Sequence, residues 1–392
     1  MPHIKPSPQY LARLRKRYAK ARKKVQSAIL DEFVATTRYH RKHASALLSS
    51  RRHWRDPNLP LCRQRRTIYT AEDQQAVFWL IQLFDDIGSK RLRAAMDTEL
   101  PNLRRNKHLR VSRTCYQHLQ RVSPSTVDRW RRAARRPGRR LRSGTKPGTL
   151  LKRQIPIRTF ADWDDKRPGF AEIDLVQHDG GLNKGDFACT LDLTDVTTGW
   201  TELAATPNKA QVHVFAALQH ERARLPFPLL GIDSDNGSEF TLAPHASAGV
   251  NDELRRYCVQ EQVTFTRGRG GRKNDNPFVE EKNWSAVRRL VGYGRYDTPK
   301  QVAQLNGLYR VYRLYFNHFL PLTKVLQTEH PGSRVKKIYD APKTPYQRVL
   351  ESPLVSADAK AQLRREHAKL DVVQLKRELD HHLTELKPTR RW

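Results

Sequence analysis

The spacing of apolar residues changes once along this chain, and that change limits what it can fold into. Up to about residue 135 the apolar side chains recur every three or four positions; from Gly169 they alternate or gather in short β-forming runs. A helix repeats its faces every 3.6 residues and a strand every two, so the first part is restricted to helices and the second to a sheet with interleaved helices. Between them, residues 137–149 consist mostly of Arg, Gly, Pro, Ser and Lys with little to bury, which reads as a linker that tracks phosphate.

Charge divides at the same place. The 392 residues hold 73 Lys and Arg against 40 Asp and Glu, a net of +33. Residues 1–150 account for +26 of it and residues 151–392 for only +7. A field confined to one part of the chain favours a polyphosphate partner there and argues against a uniformly basic protein of ribosomal type. Hydrophobic residues at 38% are enough for real cores. No window approaches the ~18 apolar residues of a membrane span, and the basic N-terminus lacks a signal-like apolar stretch, so a cytoplasmic, nucleoid-associated protein is expected. Cys62, Cys115, Cys189 and Cys258 are too scattered for a metal site or a disulfide framework and read as reduced thiols.

In the basic part, Tyr10, Leu11, Leu14, Tyr18 and then Val25, Ile29, Leu30, Phe33 keep helical spacing, with a turn at 35–37 and a short helix over 39–48. The pair resembles a helix-turn-helix with Arg38, Arg41, Lys42 and His43 outward, giving a DNA-binding domain over 1–62. A second helical DNA-binding unit is drawn at 63–136. There Phe78, Trp79, Ile81, Leu83 and Phe84 form a face wide enough to require burial. Ser123 as cap and Pro124 at the first position open a recognition-type helix carrying Arg129 and Arg132. Arg139 and Arg140 belong to the basic linker at 137–162.

Beyond it, 169–178, 187–194 and 200–204 read as an antiparallel meander, followed by helix 209–222, strand 229–233, helix 252–260, strand 263–266 and helix 277–291. That order indicates an α/β domain with a mixed sheet over 163–325, and a C-terminal region at 326–392 with a charged helix over 357–386. Three acids stand at informative places. Asp174 lies mid-strand with Glu172 and Val176, and Asp235 follows an apolar strand at an Asn-Gly turn. In the third helix, with Asn276 as cap and Pro277 first, Glu280 shares a face with Trp284, Val287 and Val291, whereas Glu281 shares one with Ser285 and Arg288. Glu280 is therefore expected to face the sheet. Asp179, Asp195 and Asp233 read as turn or supporting residues, His178 as a hydrogen-bonded histidine near Asp174, and Trp200 and Trp284 as core. Arg267, Arg269, Arg272 and Lys273, in a glycine-rich loop, read equally as a phosphate grip or a solvated loop.

Four ordered blocks, Pro168 to Asp174, Thr194-Asp195 with Thr198-Gly199-Trp200, Ser234 to Phe240, and Lys273 to Glu280, resemble the DDE transposases and retroviral-type integrases, particularly bacterial insertion-sequence transposases. The likeness covers 168–321. It implies a ribonuclease-H-like fold in which Asp174, Asp235 and Glu280 are the catalytic residues and bind two Mg²⁺ or Mn²⁺ ions. The 44 residues between Asp235 and Glu280 exceed the family's commonest spacing, and 241–251 reads as a loop insertion that accounts for it. Phosphodiester cleavage and strand transfer are in-line displacements that two hard cations assist, and hard cations need the oxygen ligands these acids offer. The implied activity is transposition, with terminal-repeat and target double-stranded DNA as partners and at least a dimer on DNA. A non-catalytic repressor, a decayed transposase and a structure-selective nuclease remain alternatives.

Overall fold

The structure, a computed structural model, describes residues 4–49, 68–134, 167–182, 184–234, 257–267, 282–329 and 336–389. It divides into two compact units, Met1–Ile68 and Tyr69–Trp392.

The first unit is three helices, α1 (Pro8–Lys20), α2 (Lys23–Thr37) and α3 (Arg41–Ser49). Ser7 caps α1 through its side chain and Pro8 occupies the first turn, where a missing N–H costs nothing. Leu11, Leu14, Ile29, Leu30, Phe33, Ala44 and Leu48 make its core. Two details differ from the sequence reading. The turn falls after Thr37, where Arg38 takes a left-handed φ of 60° and ends α2, and Val25, counted in the helical apolar spacing, is exposed.

The second unit begins with α4 (Ala71–Leu83), α5 (Ser89–Arg105), α6 (Arg113–Arg121) and α7 (Pro124–Ala134). Thr70 and Asp73 close a reciprocal capping box on α4, and Leu80, Ile81, Leu83 and Phe84 are buried as its wide apolar face requires. Next come β1 (Phe170–Gln177), β2 (Cys189–Asp195), β3 (Thr201–Thr206), α8 (Gln211–Arg222), β4 (Gly231–Ser234) and β5 (Thr264–Arg267). They form one sheet in the order β3-β2-β1-β4-β5, antiparallel from β1 to β3 and parallel from β1 to β5. This mixed order with flanking helices is compatible with a ribonuclease-H-like core. Gly169, just before β1, has φ 115°, and a Cβ there would meet the Pro228 carbonyl at 2.4 Å, so only glycine fits this position of the motif.

Helix α9 starts as a π-helical segment, Asn283–Arg288, and continues over Arg289–Val291. Helix α10 (Pro299–Phe319) is the longest described and lies across one face of the sheet, with twelve buried residues. The sequence reading assigned nothing to this stretch, although Thr298, Pro299 and Gln301 form a capping box and Leu305, Leu308, Tyr312, Tyr315 and Phe319 keep helical spacing. A hairpin of β6 (Val325–Glu329) and β7 (Lys336–Tyr339) precedes α11 (Pro345–Glu351). The single charged helix expected at 357–386 is two, α12 (Ala357–His367) and α13 (Val372–Glu385), because Asp371 restarts the helix by accepting from the Val373 and Gln374 N–H groups.

One hydrophobic core joins α4 to α7, the α10 face of the sheet, α9, α10 and α13. The segments set apart in sequence at 63–136, 163–325 and 326–392 thus share a core. A second core lies under α8 on the other face. No described helix is long and apolar enough to cross a membrane.

Candidate active site

Strand alternation sorts β1 into two faces. Ala171, Ile173 and Leu175 join the apolar core under α8, while Glu172, Asp174, Val176 and His178 face α10. Register then brings other polar groups beside Asp174. Its direct partner on β2 is Asp192, and on β4 the parallel pairing sets Ser234 against Ile173. The carboxyl end of β4, from which Asp235 follows, is therefore next to Asp174. Asp235 and Glu280 themselves lie outside the described residues.

The helix that follows Glu280 reaches the same point. The Asn283 side-chain amide donates to Asp174 Oδ2, while the Leu175 backbone N–H donates to Oδ1 at 2.7 Å. Lys282 is buried, with its ammonium 5.6 Å from the centre of the Phe316 ring. Asp192 is fully buried; Thr194 donates to its Oδ1 at 2.9 Å and its Oδ2 has no hydrogen-bond partner. Burial pushes the Asp192 carboxyl up to about 8, with the Asp174 charge adding to the rise and Thr194 and Lys282 opposing it. Asn283 Oδ1 is likewise buried without a partner. Neither Asp192 nor Asn283 was singled out in the sequence. Asp192 sits in a β-forming run where one Asp carries no signal, because its position opposite Asp174 depends on strand register.

The supporting acids have definite tasks. Asp195 accepts from the Gly169 N–H at 2.7 Å and from both the N–H and hydroxyl of Thr198, so it ties the β2–β3 turn to the start of β1. Burial raises its pKa to about 6. Asp233 accepts from the Thr266 hydroxyl at 2.6 Å across to β5, and Asp179 accepts from the Gly181 N–H at 2.9 Å within its own turn. His178 is fully buried. Its Nε2 shares a hydrogen bond with Thr190 at 2.7 Å, and Thr190 shares another with the Tyr309 hydroxyl at 2.8 Å. Burial, aided by the Arg288 charge, lowers the His178 pKa to about 3 and keeps the ring neutral.

Trp200 is core, with its indole N–H on Glu202 at 2.8 Å. Trp284 is not: it is 59% exposed. The π segment is the cause. A wider turn rotates the i, i+4 stripe, so Lys282, Ala286, Val287 and Val291 are the buried positions.

The proposed DNA contacts are mixed. Arg41 pairs with Asp31 and donates to Ser27 at 3.0 Å, which braces α3 against α2. On α7, Ser123 accepts from the Thr126 N–H as cap, and Ser125, Asp128, Arg129 and Arg132 share an exposed face. Arg131 turns inward to the Ile87 carbonyl at 2.7 Å. Arg139, Arg140, Arg269, Lys273 and the side chain of Arg267 lie outside the described residues. Among the described residues no group of three His, Cys, Asp or Glu side chains could hold a metal ion.

No protein-family model matches the chain. A Sinorhizobium fredii sequence named "Uncharacterized protein y4rM" is 39% identical over 335 residues, 85% of this chain and 91% of its own length. Among solved structures, the HTLV-2 integrase catalytic core domain in complex with magnesium matches in two forms. The dimeric form has a TM-score of 0.28 at 15% identity, covering 40% of this chain and 91% of that one. For the trimeric form the values are 0.29, 16%, 48% and 98%.

Proposed function

Because the chain belongs to one family with the Sinorhizobium fredii protein y4rM, whose name assigns no activity, we propose a function from its own residues: it is a DDE-type transposase that binds the terminal repeats of a mobile element and catalyses metal-dependent DNA cleavage and strand transfer. The observation that carries this reading is convergence on Asp174. The end of β4 lies beside it through the Ile173 and Ser234 pairing, and Asn283 of α9 bonds to its carboxylate. Asp235 comes one residue after Ser234, and Glu280 three residues before Asn283. Exposed Trp284 no longer supports placing Glu280 toward the sheet; its separation of three residues from Asn283, against two for Glu281, is what favours it as the third acid.

The donor set fits a hard divalent cation. Every side chain gathered at Asp174 apart from Lys282 offers oxygen, and two of those oxygens, on Asp192 and Asn283, are buried without partners. Asp174, Asp235 and Glu280 would hold the ions, which supply activation of the attacking oxygen and stabilisation of the leaving one. Asn283 fixes the rotamer of Asp174 by occupying Oδ2 from the helix side. Buried Lys282 supplies positive charge among the acids and limits their repulsion. The exposed face of α7 with Arg129 and Arg132 is suited to a DNA groove, and a homodimer would pair two element ends.

The test uses the full chain, since residues 71–134 share a core with the sheet. Purified protein is incubated with terminal-repeat DNA, a target plasmid and Mg²⁺ or Mn²⁺, and junctions are sequenced. Junctions that disappear on chelation are the expected result. Nicked DNA without junctions would indicate a nuclease, and binding without either would indicate a repressor.

A further inference from the structure

A cavity of about 560 Å³ opens at the seam of α4, the α5–α6 turn and α13, and none of its lining residues belongs to the site at Asp174. Lys107, Arg110, Lys376 and Arg377 line it, against one carboxylate, Asp380. That carboxylate is already taken by Lys376 at 2.5 Å. Among the described residues no salt bridge holds Lys107, Arg110 or Arg377, and all three are exposed. Trp79, half-buried against the core, forms part of the wall.

The frame around these cations is fixed. His108 Nε2 meets Asp371 Oδ2 at 2.7 Å and Asn106 donates to the same oxygen at 3.3 Å, so the α5–α6 turn is pinned to the residue that caps α13. Lys107 is held at a φ of 59°, a conformation that costs a non-glycine residue about 1 kcal/mol or more. Cations gathered on separate elements without counter-charges repel one another in the free protein, and a polyanion relieves that repulsion while releasing its own counterions. The cations are spread over two walls instead of converging on a point, which suits a chain of phosphates better than one small anion. Trp79 beside them gives the wall an apolar face against which a backbone sugar can pack.

We propose that this cavity is a second DNA contact, a site for the phosphodiester backbone of duplex DNA, distinct in its residues from the α7 face. The inference rests on the reading that the chain binds DNA. A backbone contact positions DNA without reading its sequence, so its removal weakens binding to all duplexes alike.

The test is fluorescence anisotropy of the full chain with terminal-repeat and unrelated duplexes across a salt series. Arg110→Glu and Arg377→Glu are compared with Arg365→Glu, an equal charge change at an exposed position of α12 outside the cavity. Each cavity variant should weaken both duplexes by the same factor and lower the salt slope by about one for each phosphate no longer neutralised. Arg110→Lys should retain most of the affinity. Cavity variants that change affinity no more than Arg365→Glu overturn the proposal. If Arg129→Ala then still narrows the gap between the two duplexes, the DNA reading stands and only the cavity has failed. An unmodified chain that binds neither duplex removes the DNA reading, and this inference with it.

Discussion

The two faces of the sheet are built from the same strands and differ in almost everything else. Under α8, Ala171, Ile173, Leu175, Leu191, Leu193 and Ile232 pack against Val214 and Leu218. Under α10, the buried positions include His178, Thr190, Asp192, Thr194 and Thr201, joined by hydrogen bonds to one another, to Tyr309 and to Asn317. Apolar burial of the first kind is non-directional and tolerant. The second kind stabilises only if every partner is in place. The contrast teaches that one face keeps the sheet folded, while the other holds polar and titratable groups in fixed geometry at the cost of desolvating them.

The sharpest way to break this comparison is to neutralise Asp174. Asp174→Asn should lower strand transfer by about 10²–10³-fold or more while leaving the melting temperature and DNA binding near those of the parent. Asp235→Asn and Glu280→Gln should match it, and Glu281→Gln should be mild. An Asp174→Asn protein that unfolds would mean that both faces serve stability. On the apolar face the reverse holds: Ile173→Ala should cost about 2–5 kcal/mol in urea denaturation. The specific activity of the fraction that stays folded should barely change.

Asn283→Ala sharpens the contrast, since it removes the side chain that donates to Asp174 on the polar face. Losing the group that orients a metal ligand costs about 10–100-fold in activity or metal affinity. Titration of strand transfer against Mn²⁺ concentration should therefore shift to higher metal, with little change in folding.

The mildest effect is on pH. His178 is neutral in the fold, with its pKa lowered from 6.5 to about 3 by burial and Arg288. Between those values the unfolded chain binds a proton that the folded one does not, so stability rises with pH and is lost as pH falls below about 6.5. The slope should reach roughly 1.4 kcal/mol per pH unit for this group. His178→Gln should flatten the melting-temperature profile between pH 7 and 5. An unchanged profile would remove His178 from the acid-sensitive set.

Local pattern determined much of this protein. The alternation in 169–178 and 187–194, the Thr-Gly-Trp turn before β3, the Ser-Pro start of α7 and the apolar face of α4 all appear where the sequence placed them. Each depends on neighbours within a few residues, which is the range over which sequence periodicity speaks. Helix α10 was passed over despite its capping box and helical spacing, and its Tyr, Asn and Arg content hides how deeply it is buried.

What only the tertiary structure decided lies across long separations. Asp192 meets Asp174 because of strand register, and Asn283 reaches Asp174 over 109 residues of chain. Trp284 is turned outward by a π segment that no periodicity announces. Segments that composition separates share one core because α4, α10 and α13 each bury their apolar faces on one another. An Asp on a strand or an Asn on a helix has no local signature of its partner. The free energy that settles it comes from desolvation and hydrogen bonding in the assembled fold, and neither exists until the chain has closed around the site.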